Sequence, residues 1–232
     1  NMLGWFSMRA NTPVEDIEWM LARSAAFNAG YAFVTGKEQL EINGQANEIL
    51  TLIGEWEKAR MSGAFTKEQK ERMKDIDNEF RLKTLEENKW SLNQVYTWHF
   101  THESKVRQPG EPLFSKFEFE NPVEEGTPGF IITASDAAID NITIEVNNSR
   151  QVGIPVVLNS GESIRFYGGE KAEILDETLN ILRRVSLPSD IFQLKKGKQS
   201  IIFDCNFQNK GDEPAAKIEL RISGKPEIIE GN

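Results

Sequence analysis

The sequence predicts an α+β protein in two parts. A βαβα(α) segment covers residues 1–96, and an antiparallel, jelly-roll-like β-sandwich covers residues 97–232. Three observations predict this. Apolar residues recur at helical spacing up to about Tyr96 and alternate after it. Before the change, short apolar runs and capped helical stretches follow one another with short connections, the mark of parallel strand–helix units. After it, strand-length segments are cut by Gly, Pro and Asn turn signals.

Residues 1–9 read as a first strand, directly followed by Thr12-Pro13-Val14-Glu15, which has the form of a capping box with proline at the first helical position. Ile17, Met20, Leu21, Ser24 and Phe27 keep one face of that helix inward, and Gly30 is placed to end it. The run YAFVT (residues 31–35) reads as a short buried strand. A polar loop with Gly36 and Gly44 leads to a second helix, whose stripe is Ile49, Leu52, Ile53 and Trp56 and which ends near Gly63. TKEQ (residues 66–69) is another capping box and opens a third helix defined by Met73, Ile76 and Phe80. Two such units cannot close a parallel sheet by themselves.

From Trp98 onward, strands are expected at 98–106, 113–120, 129–134, 140–147, 154–158, 162–167, 171–175, 179–186, 191–194, 199–207 and 215–223. Ile142, Ile144 and Val146, or Ile218, Leu220 and Ile222, alternate with polar residues, so each strand has one wet face. Such strands pair into two sheets over a shared core.

Composition narrows the function classes. A formal charge of −9 argues against a nucleic-acid groove or an anionic membrane surface, which select basic faces. No apolar run reaches the roughly 18 to 20 residues that span a bilayer. The single cysteine, Cys205, excludes an internal disulfide and a cysteine-based zinc site. It alternates with Ile201, Phe203 and Phe207, which predicts a small hydrophobe on a buried strand face. No cofactor motif occurs.

The stretches NMLGWFSMR and EDIEWMLARSAAFNAGYAFVT resemble the last two βα units of a (β/α)8 barrel in large exported glycoside-hydrolase-like proteins of gut Bacteroidetes. The resemblance covers roughly residues 1–90. It implies that a β-sandwich follows as an accessory domain, that the barrel preceding this part belongs to the same protein, and that the protein is exported. The phrases LNSGESIRFYGGEKAEILD and FQLKKGKQSIIFDCNF are similar to strands of galactose-binding-like jelly rolls and to the sandwich ending of some phage distal tail proteins.

In a barrel, functional groups sit at the carboxyl ends of strands. Those positions are Ser7, Met8 and Arg9 after the first strand, and Thr35, Lys37 and Glu38 after the second. Arg9 would face a sugar hydroxyl or a carboxylate, and Trp5 would offer a stacking plane. Glu38 or Glu41 would be one member of the carboxylate pair that glycoside hydrolysis needs, with its partner on other strands. The competing account makes Trp5 and Phe6 packing residues and the two glutamates solvated charges. His99, His102 and Glu103 invite a metal reading, but strand positions three apart face opposite ways. Tyr167, beside Arg165 and Glu170, is the aromatic at a turn best placed to stack on a sugar. Trp98 is expected where the two parts join. Asp136, Asp140 and Asn141, and Asp204 with Asn206, are close enough in sequence to suggest calcium, without a diagnostic spacing.

The reading that follows is the C-terminal piece of a carbohydrate-active protein, itself structural or weakly carbohydrate-binding and inactive alone. The alternative is a non-enzymatic exported module whose jelly roll mediates protein assembly; a self-contained enzyme using Arg9, Glu38 and His99 is a third. With the barrel absent, the helical stripes (Ile17, Met20, Leu21; Ile49, Leu52, Ile53, Trp56) would be exposed and would pack on the sandwich, form a homodimer or be partly disordered.

Overall fold

The structure is a computed structural model that describes residues 1–105, 108–124, 126–148, 151–187 and 194–231. The fold class is α+β. The chain divides into two compact units, one of residues 1–96, 178–180 and 224–232, the other of residues 97–177 and 181–223.

In the first unit, β1 (Met2–Ser7) and β2 (Gly30–Val34) flank α1 (Val14–Phe27) and pair in parallel through Trp5↔Ala32 and Ser7↔Val34. Among the described residues no third strand joins them. The capping box expected at residues 12–15 does not form. The Thr12 hydroxyl turns back to accept from Arg9 N at 2.8 Å, while Val14 N donates to the Gln45 side chain at 2.8 Å. Asn28, not Gly30, ends the helix; its left-handed backbone (φ 44°) returns the N–H groups of Asn28 and Ala29 to Ala25 O and Ser24 O. Strand β2 is half-buried to exposed rather than buried, since Tyr31 and Phe33 pack into the core while Val34 faces out.

Helices α2 (Lys37–Ile42), α3 (Ala46–Met61) and α4 (Lys67–Lys74) follow. The α4 capping box does form, with Thr66 and Gln69 exchanging side-chain-to-backbone bonds. The third helix is shorter than its pattern suggested, and residues 79–96 are not helical. They make a hairpin of β3 (Glu79–Glu86) and β4 (Lys89–Glu103) that turns at Asn88, and β14 (Glu227–Glu230) pairs with β4 on its other side. Phe80 falls at helical distance from Met73 and Ile76 but begins an alternation, Phe80 and Leu82, that Trp90 and Leu92 continue. Ile76, expected inward, is exposed.

The helical stripes are covered. Ile17, Met20, Leu21, Ile49 and Trp56 are buried in one core with Phe80, Leu82, Trp90, Leu92 and Ile229. The stripe residues expected to pair a second copy are therefore covered within this unit, with Leu52 and Ile53 partly buried against the same core. Gly44 meets the segment 178–180, where Thr178 O accepts from its N–H at 2.9 Å and the Leu179 and Asn180 backbone leaves no room for a Cβ.

Among the described residues, the second unit is all β. One curled antiparallel sheet runs from the end of β4 through β13 (Ala215–Ser223), β6 (Thr127–Ser135), β9 (Ser163–Phe166) and β10 (Lys171–Leu175) to β11 (Ile181–Ser186). The other has the order β5 (Ser115–Asn121), β12 (Gly197–Gln208), β7 (Ala138–Val146) and β8 (Gln151–Ile154). Phe130, Ile132, Ile164, Ile174 and Leu220 of the first and Ile142, Ile144, Ile201 and Phe203 of the second share one core. β10 and β13 span the expected residues. Of the strand expected at 191–194, residues 191–193 lie outside the described residues. Trp98 packs against that core and its ring lies 4.8 Å from Phe119.

Candidate functional site

The second unit carries a polar cleft of about 760 Å³. Strand β4 supplies Thr101 and Glu103, both outward because alternate strand residues share a face. Ser104 and Lys105 follow at its end, and Ser104 N donates to Pro214 O at 2.9 Å. The β6–β7 turn supplies Asp136, and the loop before β13 supplies Asp212 and Glu213, with Lys217 beyond. Asp136 joins turn to loop. Its carbonyl accepts from Gly211 N at 2.7 Å and its carboxylate from Glu213 N at 2.6 Å. A side chain at Gly211 would collide with that carboxylate. Glu103 and Lys105 pair at 2.6 Å. The lining offers both donors and acceptors, which suits a polar ligand.

The first unit holds Trp5, Arg9 and Glu38. Because β1 and β2 are parallel, their carboxyl ends lie together, and Met8 N donates to Val34 O at 2.9 Å. Ser7 and Arg9 thus share an end of the sheet with Thr35. Met8 is buried, Arg9 exposed, and Trp5 is 77% exposed on the strand face opposite Leu3 and Phe6. Glu38 is exposed in the first turn of α2, where Lys37 and Glu41 form an ion pair at 3.5 Å. Tyr167 belongs to the second unit. It is half-buried, and the Arg165 guanidinium lies 5.4 Å over its ring, occupying a face that a sugar would use. Glu173 holds Arg165 at 2.9 Å and Arg184 at 3.0 Å. Tyr167 does not line the cleft.

The histidines separate as strand geometry requires: the His99 side chain is 72% exposed and the His102 side chain 3%. His102 reveals a contact absent from the sequence reading. Its Nδ1 lies 2.8 Å from Ser115 Oγ and its Nε2 3.9 Å from Asp204 Oδ1, with the ring stacked on Phe207. The His102 ring itself is buried, and the alignment does not border the cleft. Cys205 is buried beside it, and burial, with Asp204 and Asp140, pushes its thiol up to about 12. Among the described residues no three metal-ligating side chains gather.

Sequence reasoning also missed Glu18. It falls on the inward stripe of α1 with Val14, Leu21 and Ala25, at offsets of four, three and seven residues, and is buried with them. That periodicity was the available signal.

No protein-family model and no curated protein matches the chain. One solved structure that aligns is the isomalto-dextranase of Arthrobacter globiformis T6 complexed with panose, at 10% identity over 93% of this chain and 49% of that chain. The chain thus spans about half the length of that protein. The TM-score of 0.21 is too low to establish a shared fold.

Proposed function

We propose that the chain is the C-terminal part of an exported, carbohydrate-active protein of glycoside-hydrolase type, structural or weakly sugar-binding in its own right. In this reading residues 1–96 contain the last strand–helix units of a (β/α)8 barrel, and residues 97–232 are a jelly-roll accessory domain. The observation that carries it is the β1–β2 pair. Parallel sheets are ordinarily covered on both faces, as in doubly wound folds and closed barrels. Here Leu3, Phe6, Tyr31 and Phe33 pack into the core, while Met2, Trp5 and Val34 are exposed and both outer edges lack partners among the described residues. Further barrel strands would supply what is missing, and the catalytic carboxylates with them. Trp5, Arg9 and Glu38 would then line the rim of that barrel, with Tyr167 a separate contact on the sandwich.

The test has two arms. Coding sequence in frame before Asn1 should encode further strand–helix repeats; a start codon there would sink the barrel reading. Glycan arrays and titration calorimetry should then give weak binding that Asp212→Ala or Lys217→Ala reduces.

A second reading, a module for protein assembly, draws support from β11. This strand ends its sheet and leaves Ile181 and Leu182 exposed. Concentration-dependent association abolished by Leu182→Lys, without glycan binding, would favour it.

A further inference from the structure

Glu18 is an acid buried where a charge is poorly served. It is 5% exposed, on the face of α1 that packs against β3. Its Oε1 accepts from Leu82 N on β3 at 2.9 Å and from Trp56 Nε1 on α3 at 3.2 Å, so one oxygen ties three elements together. Both donors are neutral. Among the described residues no cation lies within ion-pair distance of it. The charged groups that act on it are Arg81 on β3, which favours the carboxylate, and Glu15 one turn earlier on α1, which opposes it; α3 presents only the indole. Burial outweighs Arg81 and the two hydrogen bonds, all of which favour the carboxylate, because an ionised group here would lose its hydration.

We infer that Glu18 is a proton-operated latch: as the neutral acid it holds α1 and α3 on β3, and its ionisation draws water into the junction and loosens it. This goes beyond the proposed function and does not depend on it. Burial is the largest influence on the carboxyl and pushes it up to about 7 from an ordinary 4.5. The folded value lies above the unfolded one. The latch's stabilisation is therefore complete below about 4.5, is lost as pH rises to about 7, and stays lost above that.

Thermal unfolding of the wild type and Glu18→Gln across this range tests it, because glutamine keeps the acceptor oxygen and removes the proton. The wild-type Tm should fall relative to the variant by roughly 5–10 °C between the acid and neutral ends. An offset independent of pH would overturn the latch. A second measurement needs no variant: 13C NMR of the Glu18 carboxyl should titrate with a midpoint near 7. A midpoint near the ordinary 4.5 would overturn it equally.

Discussion

Glu173 shows how a single residue is set by its neighbours. Burial alone would push its carboxyl up, but the hydrogen bonds and charges of Arg165 and Arg184 outweigh burial and hold it below the ordinary value. A depressed carboxyl stabilises the fold above its unfolded value, and that contribution is lost as pH falls through the folded one. Glu173→Gln should therefore lower stability at neutral pH by about 2–3 kcal/mol, since it deprives the buried Arg165 guanidinium of a counter-ion. It should also flatten the acid limb of the stability profile, as chemical denaturation at several pH values would show. Cys205 gives a simpler expectation. A buried thiol pushed up to about 12 supplies little thiolate, so dithionitrobenzoate at pH 8 should label it only after denaturation. Rapid labelling of the folded chain would contradict its burial.

Among the elements, α4 depends most on its ends. Eight residues make barely two turns, too short to be stable without tertiary support. Its capping box contributes to that support, as does the Arg72–Glu227 pair, in which the one nitrogen Nη2 reaches both carboxylate oxygens at 2.6 and 2.8 Å. Thr66→Ala should cost about 1 kcal/mol in denaturant unfolding, and Thr66→Ser much less. The same element shows where sequence patterns are ambiguous. Strands such as β13 were legible because Ile218, Leu220 and Ile222 alternate over a long run. The β3–β4 hairpin was not, because Phe80 satisfied the helical period of Met73 as well as the strand period of Leu82. At four residues, β14 is too short for any period to emerge. The cleft was illegible for another reason. Its walls come from residues 101 and 103–105, 135–136, and 212–215 with 217, whose polar side chains look like ordinary surface until pairing brings the segments together. The β1–β2 parallel pair was legible because its two apolar runs flank a helix-length stretch, which leaves parallel alignment as the simple connection.

At the scale of the whole molecule, each unit has its own core, with Trp56 fully buried in one and Phe203 in the other. Calorimetry should resolve two transitions, with Trp56→Ala lowering one and Phe203→Ala the other by about 3–5 kcal/mol each. A single transition moved equally by both substitutions would show instead that the units unfold together. The units are not consecutive stretches of chain. The first takes β14 from residues beyond the second, with Ile229 beside Trp90 and Glu227 clamped by Arg72 and Gln69. On the ribosome this reverses the usual order, in which the part encoded first folds first. Residues 97–223 can complete their sheets while the opening helices still wait for Ile229 to emerge. Residues 1–96 are thus made before residues 97–223 but become whole after them, and until then their apolar stripes are the surface that a chaperone would see.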